Sequence, residues 1–330
     1  MQLDRRGFCA ASLGLFGAAL SRPAWAQSAD GYPGNRPVTL VVAWAPGGST
    51  DFVARVVAQQ LSKELNGNVV VDNRPGASGT IGHASVARAR PDGYTLLLGV
   101  NSTYAMARHL FPQRGYDDDK GFVSTGKLAV SPIFLCVNPK LGANDIKALI
   151  AKAKAQPGKL SYASSGAGSS AHLATELFLR SAGIDVQNVT YRGGAPAMQA
   201  LITGEVEMAF VDAVTALPLM ADKKIVALGV STPERNPLAP EVPTIAEAGF
   251  PGYEATSDFA LLAPAGTPAP ILRKLAAATA ATMKNPEVLE RLRQNSILPT
   301  VGTPEEWPAY FKAESAKWGD VIKTRGITLE

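Results

Sequence analysis

Residues 38–65 read "VTLVVAWAPGGSTDFVARVVAQQLSKEL". The run from Val38 to Ala45 is apolar and β-branched, which predicts a strand. From Ser49 onward Phe52, Val53, Val56, Val57 and Leu61 recur at helical spacing, so a helix opens directly behind a Pro-Gly-Gly turn. The unit repeats. "NVVVDN" runs through a glycine-rich loop into "GHASVARA", and "YTLLLG" precedes "TYAMARHLF". Such alternation predicts an α/β fold whose mainly parallel sheet is covered by helices on both faces.

A second series of the same style starts near Pro132: "PIFLCVNP", "DIKALIAKAKAQ", "LSYASS", "HLATELFLRSAG", "NVTYRGG", "PAMQALITG", "EMAFVD" and "KIVALGVST". It predicts a second lobe, as a length of 330 residues also favours. "SDFALLAPAG" from Ser257 to Gly266 reads as one further strand, and everything after it as helix. Three terminal helices without a sheet of their own need a surface, and the first lobe's sheet is the natural one. The chain is then expected to cross between lobes twice, near Lys127 to Cys136 and near Glu254 to Phe259. The expected division is 27–128 and 256–330 for the first lobe and 129–255 for the second, with a hinged cleft between them.

The first residues, "MQLDRRGFCAASLGLFGAALSRPAWAQ", combine a positive start, an apolar stretch from Phe8 to Leu20, and Ala24-Trp25-Ala26. This is the pattern of an export signal cut after Ala26, and the apolar stretch is too short for a membrane span. Arg5-Arg6 partly matches a twin-arginine signal, from which Asp4 and Cys9 depart. Cleavage removes part of the net charge of +4 and leaves no basic runs. Nucleic acid is therefore not an expected partner, because it requires a clustered positive footprint. Cys136 remains alone in an apolar run, so no intramolecular disulfide is expected, and the residue reads as a buried small hydrophobe.

Ligands of open α/β sheets bind off the carboxyl ends of strands, where helices begin. "APGGSTD" (45–51) and "SSGAGSSAH" (164–172) occupy that position in the first and second lobe. Glycines admit close backbone approach, and the free N–H groups of a helix start, with its dipole, favour negative charge. The bland alternative is that the glycines permit turns while Ser49, Thr50 or Ser169 cap helices. As a pair, one loop in each lobe, they suggest two jaws on one carboxylate. Arg192 in "TYRGG" either anchors a second acidic group or forms a structural ion pair. Asp51 either complements the helix dipole or faces the cleft, and Asp212 raises the same question; either residue would select ligands bearing an amine or hydroxyl. Trp44 either stacks on a ligand or packs between strand and helix, and His172 either lines the site or supports it from behind.

Enzyme motifs are missing. There is no G-x-x-x-x-G-K-[ST], no complete dinucleotide fingerprint and no G-x-S-x-G elbow. A triad of Ser169, His172 and Asp212 would place its serine and histidine three apart on one helix, with no strained turn to expose the hydroxyl. His83, His109 and His172 are scattered, and "YDDDK" (116–120) lacks calcium-loop periodicity, so no metal and no cofactor are expected.

The ordered set "WAPGGSTD", "DNRPGASG", "PDGYTLLLG", "SSGAGSSAHLA", "YRGGAPA" and "STPER" closely resembles the Bug family of periplasmic solute receptors. These are the TctC-like substrate-binding components of tripartite tricarboxylate transporters. The resemblance implies a two-lobed periplasmic-binding-protein fold of the Venus flytrap kind that closes on a small carboxylate. It implies one carboxyl group held between backbone amides of the two loops with the help of ordered waters. Carried over residue by residue, first-lobe contacts fall on Pro46, Gly47, Gly48, Ser49, Thr50 and Asp51, and second-lobe contacts on Ser165, Gly166, Gly168 and Ser169. Trp44, Ser102, His172, Arg192, Gly193 and Asp212 would line the rest; many relatives carry Phe or Tyr in place of Trp44. The implied partners are a dicarboxylate, amino acid or aromatic acid and a two-component membrane permease, and the implied state is a periplasmic monomer without catalysis. An exported serine hydrolase and a receptor that reports to a signalling protein are the competing expectations.

Overall fold

A computed structural model describes residues 31–328. The expected export signal and its cut after Ala26 lie outside the described residues. In chain order the strands are β1 (Val38–Val42), β2 (Val69–Asn73), β3 (Thr95–Val100), β4 (Phe122–Val137), β5 (Ser161–Ser164), β6 (Gln187–Thr190), β7 (Met208–Asp212), β8 (Val226–Val230), β9 (Thr256–Pro264) and β10 (Leu298–Pro299). The helices are α1 (Ser49–Leu65), α2 (Thr80–Ala87), α3 (Ile146–Ala155), α4 (Ser170–Ala182), α5 (Gly194–Thr203), α6 (Ala213–Ala221), α7 (Ala269–Thr282), α8 (Pro286–Arg293) and α9 (Trp307–Arg325).

The protein is a two-lobed α/β molecule. In the first lobe β2, β1 and β3 run parallel, and β9 returns antiparallel to β3. In the second, β7, β5 and β6 run parallel. β4 belongs to both. Its residues Phe122 to Pro132 pair with β9, and from Ile133 the same strand pairs with β7 and then with β8. Sequence patterning misses the first half of β4. Gly126, at φ 141°, and the register shifts at Ser124/Gly126 and Lys127/Ala129 break the alternation that marks a strand.

The β1–α1 unit forms as its pattern predicts. Val53, Val56, Val57 and Leu61 of α1 are buried against Val38, Leu40 and Val42, each such side chain contributing about 1.5–3 kcal/mol by leaving water. α1 stops at Asn66, which takes the left-handed conformation at φ 50°. α7 and α8 join this core through Ile271, Leu275, Val288 and Leu292. α9 departs from the expectation that the terminal helices cover only the first lobe. Its first half packs Phe311, with Trp307 and Tyr310, against Tyr104 and Leu262, whereas Trp318, Val321 and Ile322 enter the core of Leu173, Phe178 and Phe210 in the second lobe. Ion pairs Arg180–Asp320 and Arg325–Glu176 join α9 to α4. The aromatic residues of α9 are spaced for two partners, which helical periodicity alone does not reveal.

Cys136 is fully buried, and burial pushes its thiol far above the ordinary range. Among the described residues no helix is long and apolar enough to cross a membrane.

Candidate functional site

The carboxyl end of β1 leads through exposed Ala45, Pro46 and Gly47 into α1. Gly47 sits at φ 95°, where other residues are strained, and a Cβ on Gly47 or Gly48 would meet nothing within 4 Å among the described residues. The N-cap Gly48 is extended and no side chain caps the helix, so the leading N–H groups of Ser49 and Thr50 have no intrahelical acceptor. Asp51 takes the structural of its two roles. Its Oδ2 accepts from Gly47 N at 3.1 Å and Arg55 Nε at 2.9 Å, and its Oδ1 from Arg55 at 2.9 Å and Asn73 Nδ2 at 3.0 Å. Burial alone would raise its pKa, but the hydrogen bonds of Arg55, Asn73 and Gly47 outweigh this and hold the carboxyl below the usual range. Asp51 thus shapes the turn from behind, and the Gly47 amide is already engaged.

The second-lobe loop is wired in a similar way. Ser169 is the N-cap of α4, its Oγ accepting from His172 N at 3.2 Å, while Ser169 N donates to Gly166 O at 3.1 Å. Gly168 N donates to His172 Nδ1 at 2.9 Å. A backbone N–H can only donate, so Nδ1 is the acceptor and the ring proton lies on Nε2. His172 is buried, stacked on Tyr162 at 6.2 Å, and burial lowers its pKa against a smaller opposing effect of Glu176. His172 therefore supports the loop, and the amides of Gly168 and Ser169 are engaged within it. The N–H groups of Ser170 and Ala171, at the start of α4, have no intrahelical acceptor. Gly166 at φ 143° and Gly168 at φ 79° explain why this turn needs glycine.

Three contacts hold the lobes together across the cleft. Ser49, the first residue of α1, hydrogen-bonds Asp212 at the end of β7, which also accepts from Ser257 Oγ at 3.1 Å. Ser170, the first residue of α4, donates to Asn101 Oδ1 at 3.2 Å, just beyond β3. Ser78 Oγ donates to Ala167 O at 2.6 Å. β1 neighbours β3 and β5 neighbours β7, so these contacts set the carboxyl ends of both sheets face to face, with the start of one helix from each lobe between them.

Ser78, Asn101 and Ser257 were not singled out by sequence reasoning. Ser78 lies in the third strand-to-helix loop, "RPGASG", and that position was the available signal. Ala77 and Ser78 hold φ of 43° and 51°, strained for non-glycine residues. Asn101 looks like any polar residue at a strand end, yet its Nδ2 donates to Thr256 O at 2.9 Å and Glu314 Oε1 at 3.0 Å, and its Oδ1 also accepts from Asp258 N.

The remaining expected residues divide. Ser102 Oγ and Trp44 Nε1 are buried without a partner among the described residues. The indole packs over Gly79, where a Cβ would lie 3.3 Å from Nε1 and 2.7 Å from Thr103 Oγ1. Ser165 is half-buried in the second-lobe loop. Arg192 is exposed and makes no ion pair among the described residues, so its structural alternative finds no support. Gly193, at φ 110°, caps α5 without a side chain, and a Cβ there would meet nothing within 4 Å among the described residues.

Two cavities of about 320 Å³ each lie elsewhere. The first is lined by Asn138, Lys140, Leu160 and Glu207, at the amino ends of β5 and β7 and hence on the far side of the sheet from the cleft. Helix starts and glycine loops favour the carboxyl ends as the site. Among the described residues no group of His, Cys, Asp and Glu is arranged to hold a metal. The acidic turn 116–120 is tied by Arg114–Asp118 and Arg108–Asp119 ion pairs.

A family model described as "Tripartite tricarboxylate transporter family receptor" matches residues 53–327. The "UPF0065 protein in tcbD-tcbE intergenic region" of Pseudomonas sp. (strain P51) is 40% identical over 300 residues, covering 90% of this chain and 88% of its own. The structure of R. palustris Rpa4515 with adipate matches with a TM-score of 0.86 at 37% identity, covering 90% of this chain and 99% of that one. The periplasmic binding protein BugD matches with a TM-score of 0.84 at 32% identity, again covering 90% and 99%.

Proposed function

The chain belongs to the tripartite tricarboxylate transporter receptor family, and from that premise we propose that it captures a small carboxylate between its lobes in the periplasm and delivers it to a two-component membrane permease. One observation carries the proposal. The starts of α1 and α4, one from each lobe, lie across one cleft whose facing loops, 45–51 and 164–172, contain no Lys or Arg. Backbone amides at helix starts carry fixed partial positive charge and suit a carboxylate without a cation. Ser49, Thr50, Ser170 and Ala171 supply amides with no intrahelical acceptor, while Trp44 and Ser102 add two donors that lack a protein partner. Pro46, Gly47, Gly48, Ser165, Gly166 and Gly168 shape the walls, and Arg192 with Gly193 stands at the exposed rim.

The hydrolase alternative finds no support. Ser169 Oγ accepts from a backbone N–H and the His172 Nδ1 lone pair is taken by Gly168, so no base faces the hydroxyl. The hinge falls where β4 changes partner, between Pro132 and Ile133, and where Ala255 leads into β9. Ser231 stitches the crossings together, accepting from Ile133 N at 3.0 Å and donating to Ala255 O.

A thermal-shift screen on the purified protein tests the proposal. At a ligand concentration of one hundred times Kd, a bound carboxylate such as adipate stabilises the native state by about 2.7 kcal/mol. Stabilisation by neutral sugars and by no carboxylate refutes the clamp. Ester or amide hydrolysis that is abolished by Ser169→Ala refutes the receptor.

A further inference from the structure

Asp212 ends β7 at the floor of the cleft and is the N-cap of α6, but its side chain does not cap that helix. Its carboxylate accepts from the hydroxyls of Ser257 and Ser49. An ionised carboxylate has about four acceptor sites, so two hydroxyls leave it under-coordinated. No Lys, Arg or His side chain pairs with it among the described residues. The nearby cations are committed elsewhere, Arg55 to Asp51 and Lys127 to Asp258. Burial pushes the Asp212 carboxyl above the ordinary range, and the Ser257 and Ser49 hydrogen bonds offset this only in part.

The position of this carboxylate is what matters. Ser49 ties it to the first residue of α1, the same helix start whose amides face the cleft. A bare anion placed on those amides meets Asp212 as a like charge, which disfavours binding. A ligand that carries a donor beside its carboxyl turns the repulsion into a charge-assisted hydrogen bond. The reach from the α1 amides to a carboxylate touching Ser49 matches a carboxyl and a substituent on its neighbouring carbon.

We infer that Asp212 is a specificity-determining acceptor, selecting carboxylates that bear an ammonium or hydroxyl group on the carbon next to the carboxyl. The inference rests on the carboxylate clamp proposed above. Isothermal titration at pH 7.5 with propionate, lactate and alanine, and with succinate, malate and aspartate, tests both together. A hydrogen bond to a charged group predicts roughly 10- to 100-fold tighter binding of the hydroxy or amino acid than of its parent acid in at least one set. Asp212→Asn keeps the shape and one acceptor oxygen, and reduces an ammonium preference about tenfold or more. Asp212→Ala removes either preference while leaving the parent acid bound at least as tightly. The amino and hydroxy arms tell the two donor chemistries apart. Parent acids that bind as well as their substituted partners, or a preference that survives Asp212→Ala, overturn the inference and leave the clamp standing. Failure of all six acids to bind overturns the clamp itself.

Discussion

Replacing His172 by Leu separates its support of the clamp loop from any direct ligand role. The side chain is 3% exposed and its Nδ1 accepts the Gly168 amide at 2.9 Å. Leucine keeps most of the volume but offers no acceptor, so a buried N–H is left unpaired at a cost of about 1–3 kcal/mol. For a chain of this size that lowers Tm by roughly 2–4 °C per kcal/mol, and a fall of about 4–8 °C in calorimetry of the ligand-free protein is expected. Acid narrows the difference. Burial holds the folded-state pKa of His172 below its ordinary value, so the stability due to the neutral ring is complete above about pH 6.5 and is lost as pH falls through the folded value. The variant lacks this dependence. Its deficit therefore shrinks by up to about 1.4 kcal/mol between pH 7.5 and pH 5.5, while His83 and His109 act equally in both proteins. A Tm change under 1 °C, or a deficit that widens on acidification, refutes the support role.

Further outcomes follow from the same geometry. Ser78→Ala removes one hydrogen bond between the lobes and should weaken carboxylate binding about 2- to 10-fold through faster dissociation, read by stopped-flow fluorescence. Gly166→Ala places a Cβ 3.1 Å from Ser78 Oγ at φ 143° and should weaken binding more than Ser78→Ala; equal or tighter binding contradicts the assigned contact. His83 is fully buried, its Nδ1 on Gly79 O, and burial lowers its pKa to about 3. Because the unfolded chain takes up that proton near pH 6.5, the native state should lose about 2 kcal/mol between pH 7.5 and pH 5 in urea unfolding, and His83→Leu should flatten that part of the profile. Trp318→Ala empties a site shared by α9 and α4 and should cost about 3–5 kcal/mol; an effect under 1 kcal/mol in urea unfolding means that α9 does not join the lobes as described.

Periodicity made most elements legible because the apolar residues of α1, β1, β3 and β7 report one buried face or two. It also located the two clamp loops, since a glycine turn between a strand and a helix has few physical uses. The pattern could not say which amides remain available. That depends on Asp51 folding back to Gly47 and on His172 reaching Gly168, choices made by side-chain rotamers within a few residues. Nor could it find Asn101, whose four partners come from β9, α4 and α9, as far as 213 residues away in sequence. Long-range pairing of this kind leaves no local periodicity to read.

The wiring of the loops bears on how such a receptor closes and releases. Asp51, His172 and Ser169 fix each loop from within its own lobe, so the clamp amides are pre-aimed before the lobes meet and little ordering remains for the ligand to bring about. The contacts between the loops are hydroxyl-mediated and few: Ser49 with Asp212, Ser170 with Asn101, and Ser78 with Ala167. Each contributes about 0.5–1.5 kcal/mol net, too little to hold the closed form rigidly. A carboxylate seated between α1 and α4 touches the second lobe only when the cleft is shut, so its hydrogen bonds to that lobe count wholly toward closure. Two or three of them, at about 1.5–3 kcal/mol each with a charged acceptor, reach the roughly 5.5 kcal/mol that reverses a population from 1:99 to 99:1. Fixed amides suit this task better than a cation would: they present charge without titrating, and they leave Asp212, the one under-coordinated charge at the floor of the cleft, free to distinguish one carboxylate from another.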